Sequence, residues 1–231
     1  MKRFWSDVAV TPERGVTLDG RPVRTPGRLP LVLPTATLAE MVADEWRAVA
    51  DKIDPRAMPM TGLANAAIER VAADPATFAA GLARYAENDL LCYRAESPAE
   101  LVARQAAAWD APLAWAQTRY DVRFVVATGI VHRPQSAATL ARIGEAAAAL
   151  DAFALAALSP ITTLTGSIVL ALGIVEGAMT ADAAWTAAHV DETWQAERWG
   201  EDAAAAAMLA ERRREFDAAV GFLGASKPRS P

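Results

Sequence analysis

Hydrophobic and polar positions alternate with a period of two at the start of the chain, and a helical period takes over after Pro34. Phe4–Val10, Val16–Leu18, Pro22–Arg24 and Leu29–Leu33 read as short strands. Between them lie Thr11-Pro12-Glu13-Arg14-Gly15, Asp19-Gly20 and Pro26-Gly27. Asp-Gly predicts a type I′ hairpin turn, which needs positive φ at both central residues. Pro22, Pro26 and Pro30 cannot donate to a ladder, so these strands are expected to be short and edge-like.

Beyond Pro34 the pattern predicts helices. Thr37-Leu38-Ala39-Glu40 reads as a capping box, with Leu38, Met41, Val42, Trp46 and Val49 on one face behind it. A second helix is expected from Thr61 to Val71, and Asp74-Pro75 opens a third. Ser97-Pro98-Ala99-Glu100 predicts another capped start, with Leu101, Gln105 and Trp109 on its face and a separate helix over 112–120. Val122–Val126 reads as an isolated strand. A long alanine-rich helix over 136–158 is expected to end at Pro160, followed by an apolar helix to Gly177. Two more, Thr180 to Trp199 and Glu201 to about Phe222, complete the set. The fold class expected is α+β: a small antiparallel β-containing N-terminal domain, then a larger all-α domain. The division expected is 1–70 for the β-rich part with its first helices, 71–225 for the helical domain and 226–231 for a disordered tail.

Composition narrows the chemistry. The 231 residues are 53% hydrophobic and 22% charged, the balance of a globular chain. The net charge of −5 argues against nucleic acid, although residues 1–34 alone carry +3 and the remainder −8. No apolar segment follows Lys2-Arg3 as in a signal peptide, and the longest apolar run, 161–175, is too short to span a bilayer. Membrane insertion is therefore not expected. One cysteine and two histidines leave little material for a metal centre, so no metal and no cofactor are expected.

Catalytic motifs are equally thin. Cys92 sits in Asp89-Leu90-Leu91-Cys92-Tyr93 and reads as a small buried hydrophobe. No glycine pattern makes a phosphate cradle. Arg212-Arg213-Arg214 is flanked by Glu211, Glu215 and Asp217, the pattern of a solvated face. Asp202, just after Gly200, suits a helix N-terminus. Tryptophan is frequent, and as one helix 180–199 would carry Trp185 and Trp199 on one face and Trp194 on the other. Indoles on two faces fit either two packed layers or an interface anchor.

Several segments together resemble one family. Arg3-Phe4-Trp5, Leu18-Asp-Gly-Arg-Pro-Val-Arg-Thr-Pro26, Asp44-Glu45-Trp46, Met58-Pro-Met-Thr-Gly-Leu-Ala-Asn-Ala-Ala-Ile68, Asn88-Asp-Leu-Leu-Cys-Tyr-Arg94, Leu164-Thr-Gly-Ser-Ile-Val-Leu-Ala-Leu172 and the stretch from Trp194-Gln to Trp199-Gly-Glu-Asp202 match, in order, the ATP12 family of F1-ATPase assembly chaperones. Gly62 departs from the family, which has a basic residue there, and Glu69 stands where aspartate is common. The resemblance implies a non-enzymatic chaperone that binds the unassembled F1 α subunit and shields its interface until it pairs with β. By the same correspondence Asp191, Glu192, Trp194, Gln195, Trp199 and Gly200 are expected on the partner-binding surface, and Trp46 between the domains. The free protein is expected to be monomeric and cytoplasmic in bacteria, with eukaryotic relatives in the mitochondrial matrix. Two rival readings stand beside it: a hydrolase or transferase with a carboxylate-lined interdomain cleft, and a generic protein-interaction module.

Overall fold

The structure is a computed structural model that describes residues 2–129 and 131–228. In chain order it has strands β1 (Val8–Val10), β2 (Val16–Leu18) and β3 (Arg21–Pro22), then helices α1 (Ala36–Ala48), α2 (Pro59–Ala66) and α3 (Pro75–Ala83). Strand β4 (Tyr93–Arg94), helix α4 (Ala99–Tyr120) and strand β5 (Ala127–Thr128) follow. The rest is helical: α5 (Ala137–Ala148), α6 (Ala152–Thr165), α7 (Ile168–Val175), α8 (Ala181–Ala188), α9 (Val190–Trp199) and α10 (Ala203–Ser226). The class is α+β, as the sequence pattern predicts.

The expected turn forms at Asp19 (φ 48°) and Gly20 (φ 76°), and it pairs β2 with β3 antiparallel in the register Leu18↔Arg21. Strand β1 lies on the other side of β2, Val8 opposite Leu18. The Asp19 carboxylate accepts hydrogen bonds from the Ser6 and Asp7 backbone N–H groups at 3.0 and 2.8 Å. Those bonds hold its pKa below the ordinary aspartate value. Isolated bridges Gly15↔Val32 and Arg24↔Pro30 mark the weakly paired edge that the prolines impose.

Contacts divide the chain into two compact units, and the division differs from the one expected. The first comprises the described residues of Met1–Pro75, Asp151–Ala157 and Asp217–Pro231; the second comprises Ala76–Leu150 and Leu158–Phe216. Local pattern places 151–157 and 217–225 among helices, but their partners are far away in sequence. Phe153 stacks on Phe222 at 6.1 Å, Phe222 is fully buried, and the Thr35 hydroxyl donates to the Ala225 carbonyl. Ser226, expected in the tail, closes α10 with its hydroxyl donating to Leu223 O at 2.9 Å; positions 229–231 lie outside the described residues.

Within the first unit, two of the matched segments meet. Glu45 of α1 accepts from Met60 N, Thr61 N and Thr61 Oγ1 at 2.6, 2.8 and 2.7 Å, so it satisfies the N-terminal amides of α2 from outside that helix. Burial raises its pKa, against those hydrogen bonds. Trp46 packs edge-on to Trp5 at 5.3 Å, and Trp5 Nε1 donates to Trp46 O at 3.3 Å. The α1 cap is Thr35, whose hydroxyl accepts from Leu38 N at 3.1 Å; the capping box predicted at Thr37 does not form.

Beyond α3 several expected boundaries shift. Pro98 occupies the N-cap of α4 and offers no side-chain acceptor, so the Ser97 capping box does not form. Helix α4 runs unbroken through Pro112, joining what was expected as two helices. The alanine-rich stretch instead breaks at 149–151, where Asp151 accepts from Ala154 N at 2.8 Å, and α6 continues through Pro160. Residues 122–126 form no strand; β5 lies just beyond them and pairs in parallel with β4, Tyr93↔Ala127. Gly166, at φ 66°, ends α6, and the Ser167 hydroxyl caps α7 by accepting from Leu170 N at 3.1 Å.

Asp89 fixes that last break. It is fully buried, and its carboxylate accepts from Leu91 N and Val169 N, both at 3.1 Å. Burial pushes its pKa up to about 6 in spite of these bonds. A raised folded-state pKa means the folded chain holds the proton more tightly than the unfolded chain between about pH 4 and 6. The contribution is therefore full below the unfolded value and lost as pH rises through 6. Asp89→Asn presents an NH2 to a backbone N–H and should destabilise by about 1–3 kcal/mol. Urea unfolding at pH 4.5 to 7.5 should show the gap between wild type and variant narrowing as pH rises.

Candidate partner-binding site

The helix expected from Thr180 to Trp199 is two helices. His189 leaves helical geometry (φ −119°, ψ 26°), so it ends α8 and caps α9. Its Nδ1 lies 2.9 Å from the Trp185 carbonyl, and its ring lies 4.0 Å from that of Trp185. Burial lowers its pKa, which keeps the imidazole neutral at physiological pH. The break re-aims the indoles. Trp185 packs on Phe216 at 5.0 Å under the Arg213 guanidinium, while Trp194 packs edge-on to Trp199 at 5.4 Å. The arginine triplet is thus not simply a solvated face: Arg213 covers an indole, and Arg212 donates to Leu164 O at 3.0 Å.

All six expected site residues lie on α9 or at its end. Asp191 and Glu192 occupy the first turn, where the helix dipole favours acids. Trp194 is buried, and Glu192, Gln195 and Gly200 are exposed. Trp199 is 72% exposed, which is unusual for the largest apolar side chain. Gly200 takes φ 92° and ψ 156°, a backbone region open in practice only to glycine, and its N–H caps α9 by donating to Ala196 O. Asp202 caps α10, accepting from Ala204 N and Ala205 N at 2.7 and 2.9 Å, as its position after Gly200 suggests.

Asp191 stands between two hollows. One, of about 240 Å³, is lined by Leu90, Trp109, Thr163–Gly166, Ala188, His189, Glu192 and Arg212. The other, of about 560 Å³, is lined by Tyr93–Ser97, Gln105, Thr128, Gly129 and Val131. Asp191 and Leu90 belong to both. Two matched segments, 88–94 and 164–172, therefore meet here beside the first turn of α9. A larger hollow of about 1010 Å³, lined by residues of α3 and α5, includes none of the expected site residues. Pattern reading missed Gln105, His189 and Arg212 as site neighbours. Gln105 reads as an ordinary helix-face position, and only long-range packing brings it to Asp191, 86 residues away; His189 is a near neighbour in sequence whose role depends on the helix break.

Reactive groups are quiet. Cys92 is buried, and burial pushes its thiol up to about 12, far from a nucleophile's range. Among the described residues no group of three or more His, Cys, Asp or Glu could hold a metal, and no helix is long and apolar enough to cross a membrane.

Replacing Gly200 by alanine meets no atom within 4 Å, so its cost is conformational. Gly200→Ala should lower unfolding free energy by about 1–3 kcal/mol in urea titration. A neutral result would show that α9 can end without this backbone geometry.

Comparison with known proteins gives a consistent answer. A family model described as ATP12 chaperone protein matches residues 2–117. The crystal structure of ATP12 from Paracoccus denitrificans is 41% identical, covers 98% of both chains and superposes with a TM-score of 0.92. A single-substitution form of the same protein gives 41%, 98% of both chains and 0.91. A crystal structure from Agrobacterium tumefaciens is 40% identical over 98% of this chain and 86% of the other, with a TM-score of 0.89.

Proposed function

We propose, on the premise that this chain belongs to the ATP12 chaperone family, that its client is the unassembled α subunit of the F1 ATPase, shielded until it pairs with β. The coarser statement needs no proposal: the chain is an assembly chaperone. A subunit destined for a large obligate interface exposes apolar surface before it assembles, and such surface aggregates. A chaperone that must later let go needs a contact patch of modest size with both apolar and polar groups.

One observation carries the reading. Trp199 stands 72% exposed on the helix that also presents Glu192 and Gln195 to solvent, and Glu192 lines a hollow together with residues of two matched segments, 88–94 and 164–172. Among the described residues the side chains of Glu192 and Gln195 make no hydrogen bond and no ion pair, which leaves both free for a partner. An indole offers desolvated contact and the acid offers orientation and selectivity. The action is binding without bond-making, by a monomer in the bacterial cytoplasm. The family supports a non-enzymatic role, and the raised Cys92 pKa agrees with it.

Purified F1 α refolded by dilution should stay soluble and co-elute with this protein in size-exclusion chromatography, and added β should displace it. Precipitation of α with no shared peak would overturn the proposal. Glu192→Lys combined with Trp199→Ala should weaken capture at least about tenfold, while stability changes by less than about 1 kcal/mol, because both side chains are exposed. Equal capture by that variant would move the contact surface elsewhere.

A further inference from the structure

We infer that Gln105 is a positioning residue for partner binding: its buried carboxamide clamps one oxygen of Asp191 so that the other faces a cationic side chain of the client. The inference rests on the proposed function and adds the partner chemistry at one point of that surface.

Gln105 is 2% exposed, on α4. A buried primary amide must place both its donor and its acceptor, and here each has one mate. Its Oε1 accepts from Ala95 N at 2.8 Å, and its Nε2 donates to Asp191 Oδ1 at 2.8 Å. The backbone N–H can only donate, so the atom facing Ala95 is the oxygen, and the NH2 necessarily faces Asp191. The orientation of the amide is thus dictated by chemistry, and with it the position of the carboxylate. A helix-dipole role for Asp191 would require none of this, because any first-turn acid supplies it.

The charge around Asp191 is left open. Among the described residues no Lys, Arg or His lies within ion-pair distance of it. The arginines nearby are engaged elsewhere. Arg94 pairs with Asp110 at 2.9 Å and covers the Trp109 ring at 5.2 Å. Arg104 bonds Glu100 and Glu197 at 3.0 and 2.6 Å. Arg198 reaches Glu100 at 4.0 Å and lies over Trp194. Arg212 donates to the Leu164 carbonyl at 3.0 Å. A half-buried carboxylate, oriented by a buried amide, standing between two hollows and lacking a cation, is complementary to an arginine or lysine that arrives with the partner.

The test measures the dissociation constant for purified F1 α at several salt concentrations, beside thermal unfolding. Asp191→Asn keeps an acceptor for Gln105 and removes only the charge. It should weaken binding about tenfold and flatten the salt dependence. Gln105→Met, close in volume, should do the same, and the double variant should be no worse than Asp191→Asn alone, because both act through one carboxylate. A purely structural Gln105 would lower the melting temperature and leave the salt slope at its wild-type value. Should Gln105→Met not fold, Gln105→Glu with Asp191→Asn restores the bond with the charge moved inward; it should fold and still bind weakly. Wild-type affinity and salt slope in the Gln105 variants, or in Asp191→Asn, would overturn this inference while leaving the client assignment standing. Absence of any complex with wild type would instead sink the client assignment and this inference with it.

Discussion

A carboxyl group with no exposed surface holds the second unit in register. Asp89 takes the N–H of Leu91 on one oxygen and that of Val169 on the other, so a tight turn and the start of α7 share a single acceptor. An unpaired carboxylate at such depth would be prohibitively expensive, and it persists because the backbone donors around it are otherwise unsatisfied. The adjacent Leu90 N–H donates to Gly166 O at 3.0 Å, which closes the same junction from its other side. Leu90 and Gly166 thereby become fixed walls of the hollow beside Asp191. Groove geometry is a by-product of this buried acid, and the rest of the site inherits its placement.

Much of the local structure was legible. Asp19-Gly20 needs positive φ twice and has it, because that constraint lies wholly within two residues. The antiparallel sheet, the helical majority and the start of α3 at Pro75 follow from equally local rules. Errors came where a distant partner outvoted the local signal. Thr37-Leu-Ala-Glu40 is a good capping box, yet Thr35 takes the cap while its hydroxyl also reaches the Ala225 carbonyl. Pro112 and Pro160 look like helix stops, yet both lie inside helices, while the true breaks fall at 149–151 and Gly166-Ser167, where Asp151 and Ser167 cap the next helix. The division by contacts departs from the expected one for the same reason, since Phe153 and Phe222 find each other across a long stretch of helical sequence.

The site was legible as a segment and illegible as a shape. Reading 180–199 as one helix puts indoles on opposite faces and leaves two explanations open. The bend at His189 resolves this by giving Trp185 to an internal stack with Phe216 and Trp194 to a pair with Trp199. A histidine at a helix junction carries no sequence signature of a bend. Only its burial, its bond to Trp185 O and its ring contact reveal the role.

The matched segments divide by the work their side chains do. Asp19 gathers the Ser6 and Asp7 amides, Glu45 caps α2, Asp89 joins a turn to α7, and Ser167 caps α7. These residues are fully explained by folding, so their presence in any chain argues for the architecture and is silent about its use. Glu192, Gln195 and Trp199 are different: they share a helix and are exposed, and what ties them to the fold is a first-turn position for Glu192 and the edge-on contact of Trp199 with Trp194. Solvent exposure of a tryptophan costs free energy that no internal contact returns. The proposed client contact rests on these exposed side chains and on the nearby Asp191, which a buried amide orients. Function is to be sought where the folded chain has spent its side chains without internal return.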